Sequence, residues 1–445
     1  MKPEEQTWGI MPVPERLRTL SALDLTLLWG NLGVSLLVLV AAAFLVPALS
    51  LPEALAAILV GGLLGNLMLG LAGMIGADGR VPTMVLLRAP LGRRGSYLPT
   101  ALNVAQCLGW AIFEIIIIAA AASALSEELL GFTGKELWTI VTGAIALGLA
   151  LLGPVGFVRR FVRKFAVWVV LASLVYLTWW ALAEADLGAL WSAPAEGGSS
   201  FVLGVDLVIA ITVSWTPLVA DYTRFARGGH GAFAGTGGGY FLAGTWMFLL
   251  GVLLVLARGL SDPAEIPASV AAAGVASGLA LLAVTVDETD EAFANVYSTA
   301  VSIQNLLPRV SQRLLIAVIS ALATVGALTI QLRNYETFLL LLGSFFVPLF
   351  GVLLADWLLS DGHYRSNDFF SGPAFRPALI VAWIAGFALY QWLHPLGPPW
   401  WTELVARAHP PSIAIGSSLP SFGLAFGLAA LAILVSRERT ASQPA

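Results

Sequence analysis

An acidic run interrupts an apolar segment near residue 290. Within Thr285–Glu291, four carboxylates occur in five residues, at Asp287, Glu288, Asp290 and Glu291. Four carboxylates cannot all be buried and ionised without cations beside them. Otherwise burial raises their pKa values and some of them are protonated. Such an oxygen-rich cluster suits a hard cation such as Na⁺, and a proton can take its place. The run therefore predicts a cation or proton site if the segment is buried.

Helical periodicity divides the polar residues around this run between faces. Thr289 and Asp290 point toward neighbouring sectors of the helix. The main polar stripe consists of Asp287, Glu291, Asn295, Ser298 and Ser302. A polar stripe of this length is expected to face the protein interior and to mark a site or pathway.

A second polar stripe combines an aromatic ring with a carboxylate. Asn103, Gln106, Trp110 and Glu114 are spaced by three, four and four residues, which stacks them on one helical face. A flat heteroaromatic ligand can stack on Trp110 while Glu114 accepts its N–H donors or binds a cationic ring. Trp110 alone would more simply be a packing residue. Glu114 stands in an otherwise apolar run, where it needs a partner or a proton if it faces lipid.

Two segments carry signals of interrupted helices. The first is Trp29–Ser35, where Gly30, Asn31 and Gly33 weaken the helix and can free backbone carbonyls. Broken helices of this kind bind ions and substrates in transporters. Equally, Gly30 and Gly33 can form a small-residue face against which another helix packs. The segment by itself leaves both interpretations open.

The second interruption signal is Pro217, within Val213–Phe225. Proline removes one backbone hydrogen bond and clashes with the preceding turn, so we expect the helix to kink or unwind around Ser214–Thr216. A simple proline kink is the alternative, since such kinks are tolerated in membrane helices. Two interrupted helices at equivalent places in two halves of a chain, however, indicate a central binding site.

The composition indicates whether these segments lie in water or in lipid. Of the 445 residues, 58% are hydrophobic and 11% charged, whereas soluble domains average about 45–50% apolar and about 25% charged residues. The chain therefore needs lipid around it. The net charge of −4 and the scattered basic residues do not indicate nucleic acid as a partner. Cys107 is the only cysteine, which excludes an intramolecular disulfide.

Apolar stretches predict twelve transmembrane helices, because a hydrocarbon core of about 30 Å requires about 20 helical residues. Their predicted bounds are 24–47, 51–75, 97–125, 137–157, 161–184, 201–225, 236–258, 277–306, 312–330, 335–358, 377–395 and 416–435. The glycine-rich connection 228–239 is predicted to be a flexible cytoplasmic hinge or loop. The stretch 262–274 is predicted to contain a short helix on the outer surface.

The basic residues predict the orientation. With a cytoplasmic N-terminus, 19 of the 23 Lys and Arg residues fall on the cytoplasmic side, and only Lys135, Arg258, Arg333 and Arg407 fall outside. Reading Thr285–Glu291 as an extracellular loop would remove one span and reverse every later loop. We therefore expect a multi-pass protein of the inner membrane with both termini in the cytoplasm.

Several motifs resemble the nucleobase-cation symporter family, which includes cytosine permease and the benzyl-hydantoin transporter. They occur in the same order over about residues 10–360. They comprise Gly92–Pro99 leading into Leu108–Trp110, then Ser214–Trp215, Asp221–Phe225 and Asn295–Ser298. Three further motifs look most like the hydroxymethylpyrimidine transporter branch, which would salvage a thiamine precursor: Trp29–Ser35, Gln106–Trp110 and Asp287–Glu291.

The resemblance implies an all-α membrane protein of the LeuT type, with two inverted five-helix repeats and two additional C-terminal helices. The expected divisions are an N-terminal segment 1–23, repeats 24–184 and 201–358, C-terminal helices 377–435 and a tail 436–445. It implies uptake of hydroxymethylpyrimidine or a related aminopyrimidine, coupled to Na⁺ or H⁺ by alternating access. The alternative is another nucleobase-type substrate: cytosine, a purine, hydantoin or allantoin. Beyond the coupling ion, we expect no cofactor and no obligate protein partner.

The resemblance also assigns residues to two sites. The expected substrate-binding residues are Trp110, Glu114, Trp215, Asn295, Ser214, Asn31 and Gln106. The expected Na⁺ site comprises the side chains of Thr289 and Asp290 with backbone carbonyls of Val286, Gly30 and Gly33. Proton coupling at Asp290 is the alternative for the second site.

Two departures from the family pattern bear on specificity. Asp290 stands where relatives place a hydroxyl, so it either strengthens Na⁺ binding or makes a proton the coupling ion. Glu114 stands where the hydantoin transporter has a glutamine. A carboxylate there favours a ligand rich in N–H donors over a hydantoin, whose carbonyls would oppose it.

Other classes of function find less support. For a membrane-embedded enzyme, we find no HExxH or Gly-x-Ser-x-Gly motif, and the four histidines lie toward loops or span ends. For a channel, we find no filter-like repeat. The sequence therefore favours a secondary transporter.

Overall fold

The computed structural model describes residues 9–152, 167–260, 265–330, 335–408 and 415–441, without the side chains of Val167, Asp290 and residues 438–441. Five sequence-based predictions fall partly outside these ranges: the N-terminal segment 1–23, the end of the fourth span, the start of the fifth, the start of the short helix in 262–274, and the tail 436–445. The described part of that helix, Glu265–Ala271, is helical as predicted.

The described chain is built from helices, which we number in chain order. They are α1 (Ala22–Leu32), α2 (Leu36–Ala41), α3 (Leu51–Gly79), α4 (Thr83–Leu86), α5 (Arg88–Leu91), α6 (Tyr97–Leu130), α7 (Lys135–Leu152), α8 (Val167–Glu184), α9 (Leu187–Ser192), α10 (Phe201–Val213), α11 (Val219–Thr223), α12 (Gly229–Arg258), α13 (Glu265–Ala271), α14 (Val275–Asp287), α15 (Thr289–Leu306), α16 (Gln312–Thr329), α17 (Tyr335–Leu359), α18 (Ser366–Phe370), α19 (Pro377–Leu393), α20 (Pro399–Ala406) and α21 (Ser418–Ala441).

The predicted spans coincide with these helices. Among the described residues, eight spans are long and apolar enough to cross a membrane, and the bent pair α1–α2 makes a ninth. The other three predicted spans coincide with α8, α14–α15 and α19. Apolar stripes face outward on the peripheral helices, as along α16, where Leu314, Val318, Leu322 and Val325 are all exposed. Outward apolar stripes are stable in lipid and not in water.

The first predicted interruption is present. Helix α1 ends at Leu32, Ser35 has extended dihedral angles, and α2 begins at Leu36 with its axis turned by 53°. The Ser35 hydroxyl accepts hydrogen bonds from the backbone N–H groups of Leu37 and Val38, which caps α2. Gly33 also packs tightly, because a Cβ there would lie 2.9 Å from the Cβ of Ala243. The helix is therefore broken in Trp29–Ser35, and Gly33 also provides a close packing contact.

The second predicted interruption is also present. Helix α10 ends at Val213, a 3₁₀ turn spans Thr216–Leu218, and α11 follows it. Pro217 lies within that turn, where its missing N–H costs no α-helical hydrogen bond. The hydroxyls of Ser214 and Thr216 donate to carbonyls three residues earlier, which satisfies part of the broken ladder.

The predicted loop at 228–239 is wrong: these residues form the first turns of α12, from Gly229 onward. The glycines lie there because two helices approach the backbone closely. A Cβ at Gly239 would lie 2.5 Å from the carbonyl oxygen of Thr26 on α1, and one at Gly237 would lie 2.7 Å from that of Asn66 on α3. Close packing thus outweighs the low helix propensity of glycine.

The eighth span is less regular than predicted. Helix α14 ends at Asp287 and α15 begins at Thr289, so Glu288 stands at a junction between them. The N–H of Glu291 donates to the carbonyl oxygen of Glu288, which is a tighter, 3₁₀-type bond. The junction separates Asp287 from the rest of the predicted polar stripe.

The C-terminal helices are fastened to the sixth span by a buried carboxylate. Asp206 on α10 accepts hydrogen bonds from the backbone N–H groups of Ser417, at 2.6 Å, and Ser418, at 3.1 Å. It thereby caps the N-terminus of α21, where a negative charge is stabilising.

Candidate substrate and cation sites

A small cavity lies beside both interrupted helices. Helices α2, α6, α10, α12, α15 and α17 contribute to its wall. Its lining residues are Ser35, Leu37, Val38, Trp110, Ile211, Ser214, Trp215, Leu218, Tyr240, Glu291, Asn295 and Tyr335. The wall is therefore mainly apolar and aromatic, with a few polar groups, as is typical of small-molecule sites.

Trp110 is held in the wall by edge contacts. Its ring centroid lies 5.7 Å from that of Tyr335 and 5.4 Å from that of Phe338, with interplanar angles of 83° and 71°. T-shaped pairs of this kind are favourable and restrict the ring orientation. The Tyr335 hydroxyl donates to the carbonyl oxygen of Leu37, which ties α17 to α2.

Trp215 is held by a second aromatic group. Its indole N–H donates to the hydroxyl of Tyr240 at 3.0 Å, and its ring forms a T-shaped pair with Trp29 at 5.7 Å. Trp29 also meets Tyr240 edge-on, at 6.4 Å. The aromatic side of the second interruption is thereby connected to α1 and α12.

Glu114 is fully buried and bonds to Asn295. The Asn295 side-chain amide donates to Glu114 Oε1 at 2.8 Å and to the backbone carbonyl of Glu291 at 3.2 Å. Asn295 lines the cavity, whereas Glu114 is not among the lining residues found in the described ranges. The carboxylate predicted to contact the ligand therefore stands one residue behind the wall.

Gln106 braces the second interruption. Its amide nitrogen donates to the carbonyl oxygen of Ser214 at 2.8 Å and to Asn103 Oδ1 at 3.0 Å. Asn103 in turn donates to the hydroxyl of Ser302 at 2.8 Å. The polar stripe predicted on α6 therefore joins the sixth span to the eighth span and does not line the cavity along its whole length.

The acidic run reaches the first interruption. Asn31 donates its side-chain amide to Asp287 Oδ1 at 2.9 Å. Glu288 accepts two further hydrogen bonds, from the Ser35 hydroxyl at 2.9 Å and from the backbone N–H of Leu36 at 2.6 Å. Two adjacent carboxyl groups thus bind the two sides of the same break.

The residues predicted for the cation site lie on both sides of this junction. The Thr289 hydroxyl donates to the carbonyl oxygen of Val286 at 2.7 Å, so the two predicted ligands of α14–α15 are neighbours. Gly30 and Gly33 lie on α1 and at its end, against α12. Asp290 is in α15, and its side chain lies outside the described part of the structure. Within the described ranges, we find no group of three His, Cys, Asp or Glu side chains arranged for a metal ion.

The structure thus places the predicted substrate residues in two groups. Trp110, Ser214, Trp215 and Asn295 line the cavity. Glu114, Gln106 and Asn31 lie behind it, each bonded to another helix.

Sequence reasoning missed eight further lining residues: Ser35, Leu37, Val38, Ile211, Leu218, Tyr240, Glu291 and Tyr335. Glu291 was recognisable from its place four residues before Asn295, on the same helical face. Tyr240 lies in the predicted span 236–258, but its sequence surroundings do not indicate that its side chain faces the cavity. Tyr335 begins a span and carries no signal of its own in the sequence.

The family of permeases for cytosine/purines, uracil, thiamine and allantoin is matched by residues 12–399. The chain belongs to this family. It is 25% identical over 357 residues to the cytosine permease of Escherichia coli (strain K12), covering 76% of this chain and 78% of that one. It is 25% identical over 363 residues to the hydantoin permease of Microbacterium maritypicum, covering 77% and 73%.

A solved structure shows the same fold. It is that of a nucleobase-cation-symport-1 family transporter in a closed conformation with bromovinylhydantoin bound. The TM-score is 0.75 at 21% identity, and the match covers 100% of this chain and 97% of that one. The predicted LeuT-type fold and the resemblance to nucleobase-cation symporters are therefore confirmed. As a member of this permease family, the chain is a membrane transporter and not an enzyme.

Proposed function

We propose that this permease imports a small aminopyrimidine together with a cation, with hydroxymethylpyrimidine as the first candidate substrate. The observation that carries the proposal is the cavity beside both interrupted helices, lined by Trp110 and Trp215 and by the polar pair Glu291 and Asn295. A flat ring suits the aromatic wall, and N–H donors suit the carboxylate and amide. Relatives named as cytosine and hydantoin permeases support small nitrogen-containing rings as the class of substrate.

Alternating access follows from the broken helices. In such transporters, the two repeats move relative to each other around a central site. We propose that the repeats comprise residues 24–184 and 201–358, preceded by the segment 1–23 and followed by the helices in 377–435 and the tail 436–445. Ion and ligand would together favour closure of the site, and reopening to the cytoplasm would release both.

We propose that the coupling cation binds near the α14–α15 junction. Thr289, Asp290 and the carbonyls of Val286, Gly30 and Gly33 would hold Na⁺, or Asp290 would carry a proton. The proximity of Thr289 to Val286 supports this assignment, as do the hydrogen bonds that join the junction to the first interruption. An oxygen-only shell is suited to a hard cation.

The basic residues support a location in the cytoplasmic membrane with both termini inside. Of the 23 Lys and Arg residues, 19 lie on the side that this orientation makes cytoplasmic. Reporter fusions at Arg80 and Arg258 test it, because the first should report the cytoplasm and the second the outside. The opposite pattern would contradict the orientation.

Uptake into proteoliposomes tests the function itself. Labelled hydroxymethylpyrimidine should accumulate when an inward Na⁺ or proton gradient is imposed, and dissipating that gradient should abolish accumulation. Saturation and counterflow would distinguish a carrier from a channel. Accumulation that no gradient changes would contradict cation coupling.

A panel of unlabelled competitors identifies the substrate class. Aminopyrimidines should compete more strongly than purines, hydantoin or allantoin. Ligand-induced thermal shifts of purified protein in Na⁺ and in K⁺ provide an independent measure, since a ligand stabilises the state that it binds. Strongest competition by a purine, hydantoin or allantoin would assign the cavity to that substrate.

Removal of the Trp110 ring tests the stacking surface. Trp110→Ala should weaken ligand binding by roughly 1–3 kcal/mol, by analogy with base stacking on aromatic side chains. The matched control is Trp168→Ala, since that tryptophan on α8 is 68% exposed. Isothermal titration calorimetry on both variants measures the difference. Unchanged ligand affinity in Trp110→Ala would show that the ligand does not stack on this ring.

A further inference from the structure

The cavity wall has few hydrogen-bond donors left to offer a ligand. The Ser35 hydroxyl donates to Glu288, and the Ser214 hydroxyl donates to the carbonyl oxygen of Ile211 at 2.6 Å. The Tyr335 hydroxyl and the Trp215 indole N–H also have acceptors within the protein. The Tyr240 hydroxyl accepts from Trp215 and keeps its own hydrogen, and the Trp110 indole N–H also belongs to the wall. The remaining polar surface therefore combines these two donors with the acceptors of Glu291 and Asn295.

The orientation of the Asn295 amide is decided by its neighbours. Its amide group faces two acceptors, Glu114 Oε1 and the backbone carbonyl oxygen of Glu291. A backbone carbonyl accepts hydrogen bonds and never donates them, so the NH₂ group must point toward it. Both amide hydrogens are then used, and the side-chain carbonyl oxygen Oδ1 is the part of Asn295 that a ligand meets.

Glu291 stands beside this oxygen. Both residues line the cavity and are four positions apart on α15, so their side chains share one helical face. The cavity lining in the described part of the chain includes Glu291 and no Lys, Arg or His. The wall therefore presents a carboxylate and an amide oxygen side by side on one helical face.

We propose that Glu291 binds the N–H edge of the ligand directly and that Glu114 is a positioning residue, which turns Asn295 Oδ1 toward that edge. The proposal rests on the proposed function and narrows its substrate to amidine-type rings. The aminopyrimidine binds with a proton taken up from water on its ring nitrogen, so that N–H donates to the Glu291 carboxylate and the exocyclic amine donates to Asn295 Oδ1. The 4-oxo ring can still donate its ring N–H to Glu291, but its carbonyl oxygen meets Asn295 Oδ1, where two acceptors face each other.

A matched pair of ligands tests Glu291 on the full-length purified protein. The probes are 4-amino-2-methylpyrimidine and its 4-oxo counterpart, and the measured quantity is the ratio of their dissociation constants. The wild-type protein should bind the amino compound at least tenfold more tightly. A mismatched polar contact at a hydrogen-bonding site usually changes affinity by a factor of about ten or more. Glu291→Gln should lower this ratio at least tenfold, because its amide loses the charge and presents a donor.

The ratio compares two ligands on one sample, so partial misfolding of a variant does not change it. Glu291→Asp keeps a carboxylate and should keep the preference for the amino compound. Glu128→Gln, on an exposed part of α6, is the matched control and should behave as wild type. An unchanged ratio in Glu291→Gln would overturn the proposal.

Glu114 is tested by two substitutions of different chemistry. Glu114→Gln retains an oxygen that can accept from Asn295 and should preserve the amino preference. Glu114→Leu removes one of the two acceptors that hold the Asn295 amide and leaves only the backbone carbonyl of Glu291. Asn295 Oδ1 is then held less firmly toward the ligand, so the preference for the amino compound should fall. A wild-type affinity ratio in Glu114→Leu would overturn the positioning role.

The outcomes for wild type separate this inference from the proposed function. Binding of neither pyrimidine would overturn both. Binding of both with equal affinity, or with preference for the oxo compound, would leave a pyrimidine transporter and overturn the role of Glu291.

Discussion

The two interrupted helices are held by different chemistry. At the first break, carboxylates accept the hydrogen bonds: Asp287 from Asn31, and Glu288 from Ser35 and the N–H of Leu36. At the second break, residues 214–218, the fastening groups are neutral: the amide of Gln106 donates to the carbonyl oxygen of Ser214, and Trp215 packs among aromatic rings. The carboxylates of that span, Asp206 and Asp221, accept backbone hydrogen bonds outside the break.

Because the two breaks are held differently, an ion and a ligand can act on separate parts of one cavity. Hydrogen bonds to ionised groups are about twice as strong as neutral ones, and they change when a cation or proton changes the charge. The geometry of the first break should therefore depend on the ions nearby. The second break lies against the aromatic wall and should depend on the ligand.

Removal of Glu288 should have the largest effect. Glu288→Ala leaves the Ser35 hydroxyl and the Leu36 N–H without their acceptor, and each hydrogen bond to a charged group is worth about 1.5–3 kcal/mol. The melting temperature in detergent should fall sharply relative to Glu128→Ala, whose side chain is exposed. Equal melting temperatures for the two variants would show that the hydrogen bonds to Glu288 do not stabilise the first break.

Asp290→Ala should change the ion response more than the ligand contact. If Asp290 takes part in cation coupling, the Na⁺- or proton-dependent gain in ligand affinity should fall by about 1–3 kcal/mol, a usual size for coupling between sites. Titration of ligand at several cation concentrations measures this gain. An undiminished gain would place the ion site elsewhere.

A pair of adjacent glycines tests the packing behind the first break. Gly239→Ala should destabilise the protein by about 1–3 kcal/mol through overpacking, because its Cβ would lie 2.5 Å from the backbone oxygen of Thr26. Gly238→Ala is the matched control, since a Cβ there meets no described atom within 4 Å. It should be neutral or stabilising by up to about 1 kcal/mol, the helix-propensity gain. Equal thermal unfolding of both variants would contradict the close approach.

The neutral brace at the second break should give the smallest effect. Gln106→Leu removes hydrogen bonds to Ser214 and Asn103, each worth about 0.5–1.5 kcal/mol. Stability should fall modestly, and the cation response of ligand binding should remain as in wild type. A lost cation response in this variant would show that the two breaks are not chemically separate.

Local sequence was sufficient for features that depend on neighbouring residues. Apolar length predicted the spans, because lipid demands a helix of bilayer length wherever one crosses. Pro217 predicted the second interruption through its own backbone, and the glycines around Asn31 predicted the first. The same reasoning failed at 228–239, where glycine signals a loop by propensity but serves a helix packed against two others.

Hydrogen bonds between residues distant in the chain could not be predicted from local sequence. Glu288 and Ser35 are 253 residues apart, and Asn295 and Glu114 are 181 apart. Periodicity identified the faces that carry these residues, but it could not tell which faces meet. It therefore assigned Glu114 to the ligand, whereas the fold places Asn295 between Glu114 and the cavity.

The sequence by itself determined that this chain lies in a membrane, where its helices run, and where two of them break, because these properties follow from transfer to lipid and from local backbone chemistry. Only the tertiary structure decided that the acidic run fastens the first break, and that Glu291 and Asn295 face the cavity. Those outcomes depend on how helices far apart in sequence pack together, and packing orients each polar group toward a partner that no local pattern names.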